Sequence, residues 1–163
     1  MRRLVHIAFA TALLCMTACG DNSCYDNGSS LPLAACCMGG SQQAISGLTI
    51  MGIGVPGDSL LADSSSISEL YLPLRASVGS TSFAISRWVG AGTPTALQLH
   101  DTLTLDYEPI AFFHSVECGA MYNFDIHRIS FTTNGIDSVE LLTRLVTNSP
   151  TPTLRIHFTD FSQ

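Results

Sequence analysis

Residues 101–119 read DTLTLDYEPIAFFHSVECG. The first half alternates polar and apolar side chains, which is the period of a β-strand with one buried face. Glu108 and Pro109 interrupt the alternation, and the aromatic and apolar run that follows ends at Cys118. We therefore predict two neighbouring strands, the second of which ends at a cysteine that is available for a disulfide bond.

The same two-residue period extends over the rest of the chain from residue 44. Candidate strands separated by turn residues cover 45–51, 58–61, 66–75, 80–88, 102–107, 110–118, 124–132, 138–145 and 153–159. Residues 138–146 also fit a helical period, but their valine and threonine content favours a strand. We predict an all-β fold for residues 44–163, a β-sandwich (immunoglobulin-like or related) of about seven to nine mostly antiparallel strands.

The first eighteen residues have the features of a lipoprotein signal peptide. Arg2 and Arg3 precede an apolar run, 4–14, that is shorter than the roughly 20 residues needed to span a bilayer. Residues 16–19, Met-Thr-Ala-Cys, resemble a bacterial lipobox, which predicts cleavage before Cys19 and lipidation of its thiol. The alternative is an ordinary cleaved signal followed by a soluble periplasmic protein.

Lipidation would hold the protein in the cell envelope. Each buried methylene of an acyl chain contributes about 0.8 kcal/mol, so several chains anchor a protein without a transmembrane helix. Gly20, rather than an aspartate, follows Cys19. By resemblance to other diderm lipoproteins this favours the outer membrane, and both the periplasmic and the outward-facing orientation remain open.

Residues 19–43 are predicted to form a flexible tether that contains cysteines. Four mature cysteines are candidates for two disulfide bonds in an oxidising compartment: Cys24, Cys36, Cys37 and Cys118. A bond between adjacent cysteines would be strained. We therefore favour one N-terminal cysteine bonded to Cys118 and a local bond between the other two. Cys36 and Cys37 lack both C-x-x-C spacing and a nearby histidine, so we predict no metal site.

The charge excludes some classes of partner. The chain has seven arginines and no lysine, and two of the arginines lie in the signal peptide. The mature chain therefore has five arginines against thirteen carboxylates, a net charge of −8. Nucleic-acid binding needs clustered cations, so we predict no nucleic-acid partner. Electrostatic docking on an anionic membrane is disfavoured for the same reason.

No pattern indicates catalysis or a cofactor. The chain lacks a G-x-S-x-G elbow, and the glycines of 52–57 fit a turn better than a dinucleotide loop. Asp125 with His127, and His114 with Glu117, are pairs without a third partner at a predictable spacing. We predict no catalytic residue, no metal and no cofactor, with a small hydrolase assembled in space as the weakest alternative.

Trp88 is the candidate for partner binding. It precedes Val89 and the turn at 91–94, and together they could form an exposed apolar tip, although a place in the core is the simpler alternative. The leading functional hypothesis is an envelope lipoprotein with a non-catalytic binding or accessory role, whose partner is an envelope protein or a glycan. The alternative is a structural subunit of a surface assembly that uses edge-strand pairing.

Several segments together resemble a known family. They are the lipobox with a further cysteine a few residues later, LYLPL at 70–74, DTLTLDY at 101–107, Cys118-Gly119, and DSVEL at 137–141. The order resembles a family of short lipoproteins of unknown function from gut Bacteroidetes. The resemblance implies an envelope compartment, a β fold and a bond between Cys24, or one of its neighbours, and Cys118. It implies no activity and no catalytic residues.

Overall fold

The computed structural model describes residues 30–54, 59–115 and 119–161, with His114 and Ser115 described by their backbone alone. All regular elements of these residues are β-strands. There are eleven: β1 Leu33–Met38, β2 Ser41–Gln42, β3 Ile45–Ile53, β4 Leu60–Ile67, β5 Glu69–Tyr71, β6 Ser80–Val89, β7 Leu97–Ser115, β8 Gly119–Phe131, β9 Ile136–Leu141, β10 Leu145–Val146 and β11 Leu154–Phe158.

The strands form two sheets. The first has the order β2-β1-β11-β9, with β5 also paired to β1, and the second has the order β10-β8-β7-β6-β3-β4. The strands pair antiparallel, except β1 and β11, which are parallel. The all-β prediction and the β-sandwich are therefore confirmed. The strand count exceeds the predicted range partly because strands of two or three residues leave too little pattern to detect.

The core lies between the sheets and follows the predicted alternation. Each sheet turns alternate apolar side chains inward, and the fully buried ones include Ile45, Leu48, Ile50, Phe83, Leu103, Leu105, Tyr107, Ile126, Leu154 and Ile156. Burying one such side chain contributes about 1.5–3 kcal/mol. This repeated burial fixes the strand registers, because a one-residue slip would turn a whole row of apolar side chains to solvent.

Residues 33–42, which the sequence assigns to the tether, form β1 and β2. β1 lies inside the first sheet between β11 and the pair β2 and β5. Residues 33–37 are all buried, so both faces of the strand are covered and the two-residue period that marks half-buried strands is lost. The domain therefore begins before residue 44. Residues 1–18 and the first part of the tether, 19–29, lie outside the described residues.

β7 is one continuous strand, whereas the sequence predicts two strands separated at Glu108 and Pro109. β6 pairs with β7 only as far as Asp106. Pro109 therefore pairs with β8 alone, and its missing N–H donor faces no strand of the described sheet. A register shift between Asp106 and Tyr107 marks the point where β7 leaves β6.

Beyond that point β7 and β8 continue as a two-stranded projection. We call residues 109–115 and 119–123 the arm. Tyr107 anchors its base: the hydroxyl accepts from the Arg75 amide at 3.0 Å, donates to the Arg75 carbonyl at 3.0 Å and contacts Thr81 Oγ1 at 2.7 Å. The Tyr107 ring meets Phe124 edge to face, with centroids 5.3 Å apart. These contacts close the core at the end from which the arm projects.

A buried carboxylate holds the connection that crosses from the second sheet to the first. Asp101 of β7 is 6% exposed. Its oxygens accept four hydrogen bonds from residues 132–136, which link β8 to β9: from Thr132 Oγ1 at 2.7 Å and from the amides of Asn134, Gly135 and Ile136 at 2.8, 2.7 and 3.1 Å. Asp101 thereby satisfies amides that would otherwise be buried without acceptors.

Candidate binding groove at Trp88

A groove lies at the end of the sandwich opposite the arm, where β1, β3 and β6 meet the last described residues. Its volume is about 830 Å³, within the range of small-ligand sites. The lining residues are Met38, Gln43, Ala44, Ile45, Ser46, Arg87, Trp88, Val89, Gly90, Ala91, Thr95, Asp160 and Phe161. The groove thus includes Trp88, the predicted partner-binding residue, and part of the turn that follows it.

Trp88 presents its side chain at this groove and is 43% exposed. Gly47 of β3 sets its position. The backbone of Gly47 has φ +71°, and a Cβ there would lie 3.2 Å from the Trp88 carbonyl oxygen and 3.3 Å from its Cβ. A glycine is needed both for the backbone conformation and for the close approach of the two strands. Trp88 is therefore held at the surface by strand pairing.

Arg87, Asp160 and Phe161 complete the groove and were not predicted from the sequence. The Arg87 guanidinium donates to the Thr159 carbonyl at 2.9 Å and lies 6.0 Å from the centre of the Phe158 ring. Its buried Nε has no hydrogen-bond partner among the described residues. Burial lowers the pKa of this guanidinium, and the negative charge of Asp160 opposes the shift. Phe161 is 43% exposed, as Trp88 is.

The titratable residues considered for catalysis do not form a site. Asp125 forms an ion pair with Arg144 at 3.1 Å, and His127 is exposed two positions further along β8. His100 is exposed on β7, and His157 lies on the other sheet. The side chain of His114 and all of Glu117 lie outside the described residues. Within the described ranges no group of three or more His, Cys, Asp or Glu residues could hold a metal ion.

Two of the four disulfide candidates are visible, and both are free thiols. Cys36 and Cys37 are neighbours on β1 and both are buried. Cys36 faces the core, and burial, with a smaller contribution from Cys37, raises the pKa of its thiol to about 12. Cys24 and Cys118, and the predicted lipidation site Cys19, lie outside the described residues. The predicted local bond would have to include Cys36 or Cys37, and neither is bonded in this structure. The bond to Cys118 and the lipidation of Cys19 stay predictions.

The fold and the groove define a β-sandwich protein with an aromatic and polar groove at one end of its sheets. The chain belongs to a family of unknown function, DUF6452, whose family model matches residues 47–158. That match runs from the third residue of β3 to the end of β11, whereas β1 and β2 precede it. Neither a curated protein nor a solved structure matches the chain. The described residues contain no helix that is long and apolar enough to cross a membrane.

Proposed function

We propose that this protein is a lipid-anchored protein of the cell envelope, held in the outer membrane through Cys19, whose domain binds a glycan in the Trp88 groove. The observation that carries the proposal is the pair of half-exposed aromatic side chains, Trp88 and Phe161, that line one groove together with Arg87 and Asp160. The domain has an accessory, non-catalytic role.

The chemistry of the groove suits a sugar. A pyranose has an apolar face of C–H groups, which packs on an aromatic ring, and a rim of hydroxyls, which needs donors and acceptors. Trp88 and Phe161 offer the rings. Arg87 and Asp160 bring opposite charges, and Gln43, Ser46 and Thr95 add neutral polar groups. An entirely apolar partner would remove water from these polar groups without offering them hydrogen bonds of its own.

Two further observations support binding at the groove over the other hypotheses. The edge strand β4 shifts register against β3 three times, and Ser64 within it has φ 43°. Such irregularities oppose pairing with a strand of another molecule, so they count against a structural subunit that uses this edge. The scattered positions of Asp125, His100 and His157 support a binding role over hydrolysis.

The single tryptophan of the chain makes the glycan proposal directly testable. A glycan array would find ligands for the purified protein, and titration of the best ones should change the emission of Trp88. Trp88→Ala and Phe161→Ala should each weaken array binding at least tenfold, the effect of about 1.4 kcal/mol. Tyr71→Ala is the matched control, because Tyr71 is an equally exposed aromatic residue, 47%, outside the groove.

Two results would reject the glycan. One is binding that leaves Trp88 emission unchanged and survives both groove variants. The other is an array on which no glycan binds, combined with capture of an envelope protein that is lost in Trp88→Ala. That result would make the partner a protein.

The lipid anchor has a separate test. Intact-mass analysis of membrane-extracted protein should give a chain that begins at Cys19 and carries acyl groups, and Cys19→Ser should release the protein from the membrane fraction. An unmodified N-terminus at another residue would refute the anchor.

A further inference from the structure

The groove at Trp88 contains one positive and one negative charge among its described residues. They are Arg87 on β6 and Asp160, two residues beyond the end of β11, and the rest of the described lining is uncharged. Three other arginines pair with carboxylates outside this lining: Arg128, Arg144 and Arg155. A ligand of the groove therefore has to suit one guanidinium and one carboxylate together.

The Arg87 guanidinium is held in place by the protein. It donates to the Thr159 carbonyl at 2.9 Å and lies 6.0 Å from the centre of the Phe158 ring. The side chain is partly exposed, and its Nε is enclosed. A ligand that enters the groove thus meets a positive charge whose position is set by the end of β11.

Two hydrogen bonds fix the backbone next to Asp160. The Thr159 amide donates to the Gly135 carbonyl at 3.0 Å, and the Thr159 carbonyl accepts the bond from Arg87. Gly135 is itself held by the buried carboxylate of Asp101. Asp160 is exposed, and its negative charge opposes the lowering of the pKa of the Arg87 guanidinium by burial. Asp160 is therefore the more exposed of the two charges and lies close enough to act on the other.

Hydrogen-bonding capacity separates uncharged sugars from charged ones at this pair. A guanidinium donates and does not accept, whereas an ionised carboxylate accepts and does not donate. A sugar hydroxyl does both, so hydroxyls on neighbouring carbons can accept from Arg87 and donate to Asp160. A sugar carboxylate placed there has no proton to donate and is repelled by Asp160, and a sugar ammonium has no lone pair to offer and is repelled by Arg87. An uncharged glycan therefore satisfies both groups, and a charged one satisfies one of them.

We propose that Asp160 makes the Trp88 groove selective for uncharged glycans, because it repels sugars that carry a carboxylate or a sulfate. The inference rests on the glycan binding of the proposed function and names the class of glycan. A repelling group is a common source of specificity between ligands of the same shape. The mature chain adds to the repulsion, since its five arginines against thirteen carboxylates give it a net charge of −8.

Glycans that differ in charge alone test this selectivity on the purified mature protein. The probes are gluco-, manno- and galacto-oligosaccharides, each in three forms that carry a hydroxyl, a carboxylate or an amine on the exocyclic carbon of every sugar. For a series that binds, wild type should hold the hydroxyl form at least about tenfold more tightly than the carboxylate form, because juxtaposed like charges disfavour a complex. Titrations followed by Trp88 emission measure both affinities.

Asp160→Asn is the variant that assigns the selectivity. The amide keeps the size of the side chain and removes the charge, so the ratio of the two affinities should move about tenfold towards the carboxylate form. Glu108→Gln is the matched control, because Glu108 is also exposed but lies ten residues along β7 from Gln98, the partner of Trp88. That separation is about 33 Å, several times the screening length of about 8 Å at physiological salt, so this ratio should stay as in wild type.

Loss of the selectivity and loss of glycan binding give different results. Wild type that binds the carboxylate form as tightly as the hydroxyl form overturns the selectivity and leaves the glycan proposal standing. An unchanged ratio in Asp160→Asn overturns the role of Asp160. An equal change in Glu108→Gln also overturns it, because the net charge of the domain would then be the cause. Absence of binding to all three forms of every series refutes the glycan proposal, and the selectivity with it.

Discussion

Asp101 stabilises the connection between the two sheets, because its one carboxylate accepts hydrogen bonds from four donors there. An asparagine at this position keeps the size but offers an amide group to donors that need an acceptor. We expect Asp101→Asn to lower the free energy of unfolding by about 2–4 kcal/mol, since each buried donor left without an acceptor costs about 1–3 kcal/mol. Chemical denaturation monitored by Trp88 emission measures the change.

Asp106→Asn is the control for Asp101. Asp106 lies five residues further along β7 and pairs with Arg128 at 2.7 Å, but the Arg128 side chain is 74% exposed. The hydrogen bond from Arg128 lowers the pKa of the Asp106 carboxyl, yet an exposed pair contributes less than about 1 kcal/mol. Equal losses for the two variants would show that burial of Asp101 is not what makes it important.

Cys36 makes the stability of the domain sensitive to alkaline pH. Its thiol has a pKa of about 12 in the folded chain against the ordinary value of 9.0. Between these values the unfolded chain binds fewer protons than the folded chain, so the stabilisation is complete below about pH 9 and is lost as pH rises towards 12. The free energy of unfolding of wild type should fall more steeply over this window than that of Cys36→Ala. A constant difference between the two proteins from pH 8 to 11 would contradict the burial of this thiol.

At the scale of residues the sequence predicts part of the groove. Trp88 stands out because it is the only tryptophan and precedes a turn. Arg87 carries no such signal, because an arginine at the end of a strand is common. Asp160 and Phe161 approach Trp88 only because β11 ends near the ends of β1 and β6, and strand order between two sheets cannot be deduced from local periodicity.

At the scale of elements, prediction works where one face of a strand is buried. Buried residues recur at every second position over most of β3, β6 and β11, and each strand was predicted close to its observed position. β1 was missed because it is buried on both faces, and its four central residues are small and carry no period. The break predicted at Pro109 was wrong, because β7 continues through this residue. A proline is tolerated in a strand wherever no neighbouring strand needs its N–H.

The pairing of β3 with β6 provides a prediction about the groove. Gly47→Ala should lower the free energy of unfolding and shift the emission of Trp88. An alanine at position 47 would have to adopt the positive φ, which costs about 1–2 kcal/mol. Its Cβ would also lie only 3.2 Å from the Trp88 carbonyl oxygen. Denaturation and the emission maximum report these two effects separately.

Gly54→Ala is a matched control for Gly47→Ala. Gly54 has φ +69°, almost the same as Gly47, but a Cβ there would meet no atom of the described residues within 4 Å. It should therefore lose a similar stability from backbone strain while the Trp88 emission stays as in wild type. A shift of the Trp88 emission in both variants would mean that backbone strain, and not the contact with Trp88, controls the groove.

At the scale of the whole molecule the domain has two unlike ends. The arm and Ser30 lie at one, and the Trp88 groove lies at the other. β7 joins them as a single strand of 19 residues, long enough to pass through the sandwich and continue beyond it. Under the function proposed above, a domain anchored through Cys19 would therefore hold the Trp88 groove at the end away from the point where its tether enters.

The same arrangement favours a disulfide between Cys24 and Cys118. Cys36 and Cys37 are buried in β1 as free thiols, which leaves these two of the four mature cysteines. Cys24 is six residues from Ser30, and Cys118 is five from Asn123, so each lies within about 20 Å of the hydrogen bond that joins those residues. A bond that closes a loop of about a hundred residues contributes up to about 4–5 kcal/mol by chain entropy.

Peptide mapping without reduction should find Cys24 joined to Cys118, and Cys36 and Cys37 as thiols that iodoacetamide modifies only after unfolding. Cys118→Ser should lower the free energy of unfolding by several kcal/mol, because the tether is then no longer joined to the connection between β7 and β8. It should also leave one new free thiol at Cys24. Cys37→Ser is the control that removes a thiol and leaves the bond intact. A bridge that contains Cys36 or Cys37 would contradict this connectivity and would require β1 to leave the sheet, since both thiols are enclosed there.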